Sequence, residues 1–492
     1  MSIEKANTAR NPRIWNIAGE KLQSPLGIGF LLLVSISVAF LLSRFGVVAG
    51  AMVVLAVVAP VAVISIISYP KFGIVILLVS AYLIMWIIRM GIVDFPLGTL
   101  MDGLQALLLI GFLLKQKFRP DWKIYRNPTT ILIIIWIAYN LLQVANPSAE
   151  SRMAWLYTVR SVAVVMLMYF VFMYHITTIQ FIRLILKLWL ILTAFGALYG
   201  LKQEYLGFFA FEEAGLADPL QRALLFIGGH WRKFSIFSDP VAFSYNMVAS
   251  TLLCIALITG PMPIKKKIVL GLLTGLFTFS MLFSGTRGAY VLIPAALVML
   301  LFLKFNVKVF VFSAVAAIFL AGVVYMPTSN PALYRFQSAF KPSEDASFSV
   351  RVENQKRIKP YIQSHPFGGG LGATGVWGVR FAPNSYLANF PPDSGYVRVA
   401  VELGWIGLLI FCSLMFVVLR AGIMNFFAIR DPELKSYCLA MVLIVFALNI
   451  GNFPQEALVQ FPTNIYFYLV IALINITYRL DQQKSGPMER IT

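Results

Sequence analysis

The sequence predicts an all-α, polytopic integral membrane protein with about fourteen transmembrane helices. Of its 492 residues, 59% are hydrophobic and only 12% are charged, whereas soluble domains carry about 25% charged residues. The apolar residues form runs of the length that a hydrocarbon core of about 30 Å requires. In such a protein the net charge of +19 is an orientation signal and a match to anionic membrane lipids. We therefore predict no nucleic-acid partner.

Each predicted transmembrane helix is an apolar run bounded by polar or turn-forming residues. In chain order the runs cover residues 25–43, 47–68, 73–92, 97–115, 128–146, 153–174, 179–202, 240–259, 266–284, 288–304, 307–326, 396–420, 436–453 and 458–478. Residues 1–24 precede them as a polar cytoplasmic segment, and residues 25–480 form one transmembrane domain. The last residues, 481–492, are expected to be a disordered cytoplasmic tail.

The distribution of Lys and Arg among the short loops orients the spans. Basic clusters at residues 115–126, 265–267 and 420–435 fall on the predicted cytoplasmic side. An even number of spans then places both termini in the cytoplasm. The long segments 203–239 and 326–395, the second between the eleventh and twelfth spans, would both face the periplasm.

Two outward-facing arginines are candidates for binding an anion. Arg287 stands at the start of a predicted helix, where free backbone N–H groups and the positive end of the helix dipole favour negative charge. Arg232 precedes a helix whose start is indicated by Asp239-Pro240, and Asp239 is expected to cap it. Lys233 follows Arg232, and a bidentate arginine suits a diphosphate. The simpler interpretation of these cations is contact with lipid head groups.

Arg160 lies inside a predicted span, where a charge is costly and usually faces a partner or a wet cavity. Asp102 is a possible partner, and Tyr157 shares the face of Arg160 at the i−3 position. A cavity role and a structural ion pair both remain open.

The second long segment holds a basic run that includes Arg351 and Arg357, a glycine-rich stretch after His365, and Asp393 before a helix that opens at Tyr396. The glycines are not followed by a Walker lysine, so a nucleotide-binding loop is not indicated. Asp393 could cap the helix or act as a general base toward a sugar hydroxyl. The three histidines do not cluster in the sequence, so no metal site is predicted.

Several of these motifs, in this order, resemble the superfamily of O-antigen ligases and O-antigen polymerases, which are bacterial envelope glycosyltransferases of the metal-independent GT-C type. The resemblance covers about residues 150–420. Its motifs are Arg232-x-Phe-Ser-x-Phe-x-Asp-Pro, Ser284-x-Thr-Arg287-Gly, Arg351, His365-Pro-Phe-Gly-x-Gly-x-Gly, Asp393-Ser-x-Tyr and Glu402-Leu-Gly-x-Ile-Gly.

The resemblance implies transfer of a glycan from undecaprenyl pyrophosphate to an acceptor hydroxyl at the periplasmic face of the bacterial inner membrane. The acceptor would be lipid A core or another lipid-linked glycan, and no cofactor would be needed. The family's two pyrophosphate-holding arginines correspond to Arg232 and Arg287, and Asp393 completes the predicted catalytic set. The other predicted substrate-binding residues are Arg160, Lys233, Arg351, Arg357, His365 and Tyr396.

One departure from the family pattern concerns Asp393-Ser394, where ligases commonly carry a His-Asn pair. A carboxylate there would have to face the acceptor, because a pyrophosphate would repel it. Ligase, polymerase and exopolysaccharide variants therefore stay open, as do a polysaccharide transporter or flippase and a non-catalytic envelope scaffold. A transporter would be expected to show internal repeats and broken helices with midplane charges.

Overall fold

A computed structural model describes residues 25–91, 97–227, 229–329, 331–340 and 346–485, and 78% of this part is helical. The chain divides into two compact units, residues 1–68 and residues 69–492. The first contains one described helix, α1 (Pro25–Ser68), of 44 residues. The prediction of two spans here, 25–43 and 47–68, is wrong, because Arg44 and Gly46 do not interrupt the helix. A single glycine costs a helix only about 1 kcal/mol.

The second unit is built mainly of long apolar helices. They are α2 (Pro70–Arg89), α3 (Leu97–Phe118), α4 (Pro128–Leu142), α5 (Arg152–His175) and α6 (Ile179–Tyr205), then, after the first long segment, α9 (Pro240–Ile258), α10 (Ile264–Leu282), the short α11 (Arg287–Tyr290), α12 (Leu292–Leu303) and α13 (Val307–Tyr325), and, after the second, α17 (Gly395–Ala428), α18 (Pro432–Gly451) and α19 (Thr463–Ser485). Two 3₁₀ turns, Lys123–Tyr125 and Gln143–Ala145, flank α4.

Within the described part of the chain, nine helices are long and apolar enough to cross a membrane. This finding confirms an all-α, multi-pass membrane protein. The twelve spans predicted from residue 73 onward each coincide with helical segments. Ten of them match the predicted bounds to within four residues, whereas α17 ends eight residues later than predicted and α19 begins five and ends seven residues later. Because α1 takes the place of two predicted spans, the predicted total of fourteen is not confirmed.

The two long segments fold into short elements. Residues 203–239 contain α7 (Ala210–Leu216), α8 (Pro219–Leu225) and an antiparallel hairpin of β1 (Phe226–Ile227) and β2 (His230–Trp231), with Phe226 paired to Trp231. Residues 326–395 contain α14 (Pro331–Ser338), α15 (Ala346–Ser364) and α16 (Gly375–Phe381).

Hydrogen bonds bring both long segments to the same end of the second unit. Asn146, just after α4, donates to the Phe367 carbonyl at 3.0 Å, and Ser238 donates to Gln460 at 2.7 Å. Contacts at the opposite end include Lys304 with the Thr259 carbonyl at 2.7 Å. This grouping of helix ends agrees with the predicted alternation of spans. Its periplasmic orientation stays a prediction.

The predicted tail, 481–492, begins too early. Asp481 is buried in the last turns of α19, and its carboxylate accepts hydrogen bonds from the backbone N–H groups of Arg430 and Asp431 at 3.2 and 2.8 Å. These N–H groups lie just before α18, so Asp481 ties the two helices together. The rest of the predicted tail, 486–492, and the N-terminal segment 1–24 lie outside the described residues.

Candidate active site

Arg232 is held in a loop that joins β2 to α9. Its backbone N–H donates to the Leu225 carbonyl at 2.8 Å, which continues the hairpin. Its Nε donates to the Ser284 carbonyl at 3.0 Å and its Nη2 to the Thr286 hydroxyl at 3.1 Å. The side chain therefore reaches from the first long segment to the turn between α10 and α11, where Arg287 begins.

The loop after Arg232 is fixed by Arg89, the last residue of α2. Its guanidinium donates to the carbonyls of Ser235 at 3.0 Å and Phe237 at 2.6 Å and lies 4.1 Å from the centre of the Phe234 ring. Three backbone and ring contacts from one side chain hold a loop in which Ser235 has a positive φ of 56°. Arg89 therefore positions this loop, and no motif in the sequence distinguished it.

Asp239 caps α9 as predicted. Its carboxylate accepts from the N–H groups of Val241 at 2.7 Å and Ala242 at 3.0 Å, and Pro240 occupies the first helical position. Because these bonds occupy the carboxylate, Asp239 orders the loop that carries Arg232.

Arg287 is the first residue of α11. The preceding Thr286 donates its hydroxyl to the Pro240 carbonyl at 3.1 Å, so the start of α11 packs on the start of α9. A Cβ at Gly288 would lie 2.9 Å from Pro454 and 3.4 Å from the Tyr245 hydroxyl. Glycine at 288 permits this close approach, which fixes the position of the adjacent Arg287 at the start of α11.

A third arginine, Arg335 of α14, joins the first two. Its Nε donates to the Gly285 carbonyl at 2.7 Å. Gly285 has φ 59°, and a Cβ there would lie 3.0 Å from Arg335 Nε and 3.2 Å from Arg232 Cγ. Gly285 is therefore the point at which two arginines from separate segments meet. Arg335 was not among the predicted site residues, since nothing in the motif pattern sets it apart from other basic residues.

Arg232, Arg287 and Arg335 line one cavity of about 190 Å³. Burial lowers the pKa of Arg232 to about 10, and the positive charges of Arg335 and Arg287 add to that effect, while Asp239 opposes it. Arg232 remains protonated at neutral pH. The cavity consequently concentrates positive charge of a kind that an anion would neutralise.

A second cavity, almost wholly apolar, adjoins the first. Its volume is about 540 Å³, and it is lined by residues of α10, α12, α13 and α14. Leu282 lines both cavities, and Phe336, next to Arg335, lines the apolar one. An anionic head group in the basic cavity would thus have an apolar channel beside it.

Asp393 does not cap the following helix. The cap of α17 is Ser394, whose hydroxyl accepts from the Val397 N–H at 3.5 Å. Asp393 itself has φ 45°, and no hydrogen bond to its carboxylate forms among the described residues. Partial loss of hydration raises the pKa of Asp393, and the nearby Arg351 guanidinium opposes this rise. The carboxylate is left exposed in a strained backbone conformation.

Neighbours of Asp393 and Arg287 contact the same segment after α18: the Ser394 hydroxyl donates to the Asn452 carbonyl at 3.4 Å, and a Cβ on Gly288 would lie 2.9 Å from Pro454. Arg351 of α15 lies close enough to act electrostatically on both Asp393 and Tyr245. The Tyr245 hydroxyl is the group that a Cβ on Gly288 would approach. These steps bring Asp393 to the same end of the unit as the three arginines.

Two predicted substrate-binding cations are engaged in ion pairs. The Lys233 ammonium lies 3.3 Å from the Glu204 carboxylate and is buried; burial lowers the pKa of Lys233, and Glu204 opposes this shift. Arg160 forms the ion pair with Asp102, at 3.1 Å, and its guanidinium lies 5.9 Å from the Tyr157 ring centre. Neither residue lines the basic cavity. A substrate role for either stays an untested prediction.

The remaining three predicted residues also lie outside the basic cavity. His365 stacks on the Tyr361 ring at 4.0 Å and contacts its carbonyl at 3.0 Å. The Tyr396 hydroxyl donates to the Asn449 carbonyl at 3.1 Å, and the exposed Arg357 lies 5.9 Å from the Phe390 ring centre. Their substrate-binding roles stay untested.

A different arginine, Arg398, sits in a larger cavity of about 400 Å³ together with Glu402 and Glu456. Its Nε donates to Glu402 at 3.2 Å and its Nη1 to Glu456 at 2.6 Å. Glu402 is buried and also accepts from the backbone N–H of Gly372 at 3.0 Å and from Thr374. This network pairs Glu402 with a cation and with backbone and hydroxyl donors, which assigns it a structural contact in the fold.

The glycine-rich loop 368–372 packs against α17 where that helix is interrupted at Gly404, which has φ 71°. Gly369 and Gly370 donate to the carbonyls of Val401 and Glu402, both at 2.9 Å. A Cβ at Gly368 would collide with the backbone of Gly404 and Glu402. These two motifs therefore form one docking contact, and its close backbone approach requires the glycines.

No group of three or more His, Cys, Asp or Glu side chains suited to a metal ion occurs among the described residues. The fold and the site define a multi-pass membrane protein whose basic cavity, at one end of the helices, opens beside an apolar one.

Residues 272–412 match the family model described as O-antigen ligase. The match confirms the resemblance to the O-antigen ligase superfamily and supports a ligase- or polymerase-like function in polysaccharide assembly. It includes Arg287, Arg335, Asp393 and Glu402, whereas Arg232 precedes it. A comparison with curated proteins finds no match.

Proposed function

We propose that this protein is a glycosyltransferase that moves a glycan from undecaprenyl pyrophosphate to an acceptor hydroxyl at the periplasmic face of the bacterial inner membrane. The acceptor is lipid A core or another lipid-linked glycan. The observation that carries the proposal is the convergence of Arg232, Arg287 and Arg335 on one cavity. These side chains come from three separate parts of the chain.

The proposed task of the arginines is to hold the diphosphate. Its negative charge increases as the bond to the sugar breaks, so fixed cations at that point stabilise the transition state more than the ground state. The planar fork of arginine suits the diphosphate oxygens. In keeping with the resemblance, the proposed reaction uses no metal ion or nucleotide.

The apolar cavity of about 540 Å³ beside the arginines supports a lipid-linked donor over a soluble one. A polyprenyl chain bound there would keep its diphosphate next to Arg335 and the sugar above the membrane surface. Apolar burial contributes about 25 cal/mol per Å², so the lipid would supply much of the binding free energy.

In the proposed reaction, the acceptor hydroxyl oxygen forms a bond with the anomeric carbon while the bond from that carbon to the diphosphate oxygen breaks. Asp393 accepts the hydroxyl proton, and undecaprenyl pyrophosphate leaves with the bonding electron pair. Attack opposite to the leaving group inverts the anomeric configuration. Arg351, which acts on Asp393, favours its ionised form and so keeps the base ready.

A detergent-based assay tests transfer directly. Purified protein in micelles is incubated with a lipid-linked glycan donor and either lipid A core or a second lipid-linked glycan, and products are resolved by mass spectrometry. Because micelles contain no separate compartments, a transporter or flippase cannot generate product. We expect a new glycosidic product with one acceptor, which also separates ligase from polymerase.

The matched control is Arg222→Ala, which removes an exposed cation of α8 outside the basic cavity. It should retain wild-type activity, while Arg287→Ala should not. Absence of product from folded wild-type protein with both acceptors would overturn the proposal.

A further inference from the structure

A further cavity lies at the end of the helices opposite to the arginine site. Its volume is about 950 Å³, more than that of the arginine cavity, and it is formed where α2 begins and where α3, α5 and α19 end. Its polar lining comprises Lys71, Lys115, Arg119, Asp121, His175 and Arg479, among others. The glycosyl-transfer reaction proposed above uses none of these side chains.

The lining carries an excess of positive charge. Lys71 and Arg119 both repel the charge at Lys115, and none of the three forms an ion pair with a carboxylate in the described part of the chain. Asp121 is the one acidic side chain of the lining, and its charge acts on Arg479. A ligand with one or two negative charges would relieve the repulsion.

Two of the polar groups are already oriented. Arg479 donates to the carbonyls of Met173 and Ile176, both at 2.9 Å, so its side chain is fixed to the end of α5. Asp121 accepts no hydrogen bond from Arg479. The backbone N–H of Asp121 donates to the Gln116 side-chain oxygen at 2.9 Å. The cationic wall of the cavity is therefore built on rigid helix ends.

His175 gives independent evidence for a ligand. The residue is only 6% exposed, and its ring is held edge-on by Phe112 and Tyr174, with centroid distances of 6.4 and 4.9 Å. Its Nε2 is buried without a hydrogen-bond partner among the described residues. A buried polar atom without a partner is costly, and a phosphate oxygen would supply an acceptor.

The rim of the cavity is apolar and exposed. Phe118, which lines it, is 78% exposed, and the nearby Trp122 is 58% exposed. Aromatic side chains of this kind concentrate at the boundary between head groups and hydrocarbon. The occupant must then combine anionic phosphate with an apolar part at the membrane surface.

We propose that this cavity binds the head group of an anionic phospholipid, with the phosphate held by Lys115, Arg119 and Lys71 and a further hydrogen bond from His175. Basic pockets between helix ends are known to suit such head groups. The proposal does not depend on the glycosyltransferase function, because it concerns the opposite end of the molecule.

Native mass spectrometry of the full-length protein tests this inference. Delipidated protein is titrated with cardiolipin, phosphatidylglycerol or phosphatidylethanolamine, and the fraction of lipid-bound protein is measured. We expect cardiolipin and phosphatidylglycerol to bind more tightly than phosphatidylethanolamine. The double variant Lys115→Gln/Arg119→Gln should weaken their binding about 25-fold, at about 5-fold for each cation.

The control is Lys117→Gln/Lys266→Gln, which removes the same charge from exposed positions outside the cavity and should leave the affinity unchanged. If the first double variant does not fold, Arg119→Gln alone carries the test, with an expected loss of about 5-fold. Equal losses from both pairs would overturn the proposal. So would binding of inorganic pyrophosphate at the same affinity as the lipids, since the site would then take free phosphate.

Discussion

Two arginine sites at the same end of the molecule are built in opposite ways. Arg398 lies between two carboxylates, Glu402 and Glu456. Arg232 instead directs its hydrogen bonds to two carbonyls and a hydroxyl, and no carboxylate of the described chain lies within ion-pair distance of it. Its charged neighbours in the cavity are Arg287 and Arg335.

The difference suggests separate tasks for the two sites: the first ties parts of the fold together, and the second is the one proposed above to bind an anion. A buried cation between carboxylates is satisfied by the protein, and it joins the glycine-rich loop to α17 through Glu402. A group of like charges is unfavourable in the free protein, and it gains stability only when an anion binds. The four predictions below test this contrast, beginning with the largest effect.

Removing the cation from the satisfied site should damage the fold. Arg398→Met leaves the buried Glu402 and the partly buried Glu456 without their counter-charge, which we expect to lower the free energy of unfolding by about 3–5 kcal/mol. Thermal unfolding in detergent measures the change. Arg398→Met/Glu456→Gln should recover part of the loss, and an unchanged unfolding temperature in the single variant would contradict a structural role for Arg398.

Removing a cation from the arginine cavity should instead affect the reaction. Arg232→Ala is expected to lower the rate of glycan transfer about 100- to 1000-fold, the effect of losing one donor to a developing oxyanion, with the protein still folded. Arg232→Lys keeps the charge but loses the planar fork, so its loss should be smaller. The measurement is the rate of glycan transfer by purified protein with a lipid-linked donor. Transfer at the wild-type rate by Arg232→Ala would remove this residue from the mechanism.

Moving the arginines apart should have an intermediate effect. Gly285→Ala introduces a methyl group 3.0 Å from Arg335 Nε and 3.2 Å from Arg232 Cγ, so both arginine side chains must shift. We expect kcat/KM to fall about 10-fold, since small displacements of positioned groups are costly. Gly375→Ala is the control, because Gly375 has a similar φ of 68° but open space around it; an equal loss in both variants would mean that backbone strain alone is responsible.

The smallest effect is a shift in pH dependence. Partial loss of hydration raises the pKa of Asp393, and Arg351 opposes this rise. Asp393 is therefore protonated, and unable to act as a base, up to a pH above the usual Asp pKa of about 3.9. Arg351→Gln removes the opposing charge and should move the acidic limb of the kcat/KM profile to higher pH. Asp393→Asn should abolish that limb, and an identical limb in this variant would assign it to another group.

The bounds of the helices were largely predictable because a membrane span is a local property. About 20 apolar residues between polar flanks suffice to define one, and the spans predicted from residue 73 onward coincide with helices. The prediction was wrong in α1, where Arg44 and Gly46 looked like a loop, and at Asp481, which is buried rather than disordered. In both cases a few polar residues were taken as a boundary that helix formation does not require.

The candidate site could be predicted only in part. Arg232 and Arg287 were recognisable from their motifs, but Arg335 and Arg89 act through contacts with residues 50 or more positions away. Ser394, rather than Asp393, caps α17, because the choice between adjacent residues depends on backbone angles that composition does not reveal.

The sequence by itself determined that this chain is a helical membrane protein with motifs of the O-antigen ligase superfamily, since hydrophobic length and short motifs are read along the chain. Only the tertiary structure decided which charges are neutralised. Arg398 and Lys233 meet carboxylates, whereas Arg232 meets Arg335 at Gly285. The reason is physical, because the electrostatic environment of a side chain depends on distances in space that sequence order does not fix.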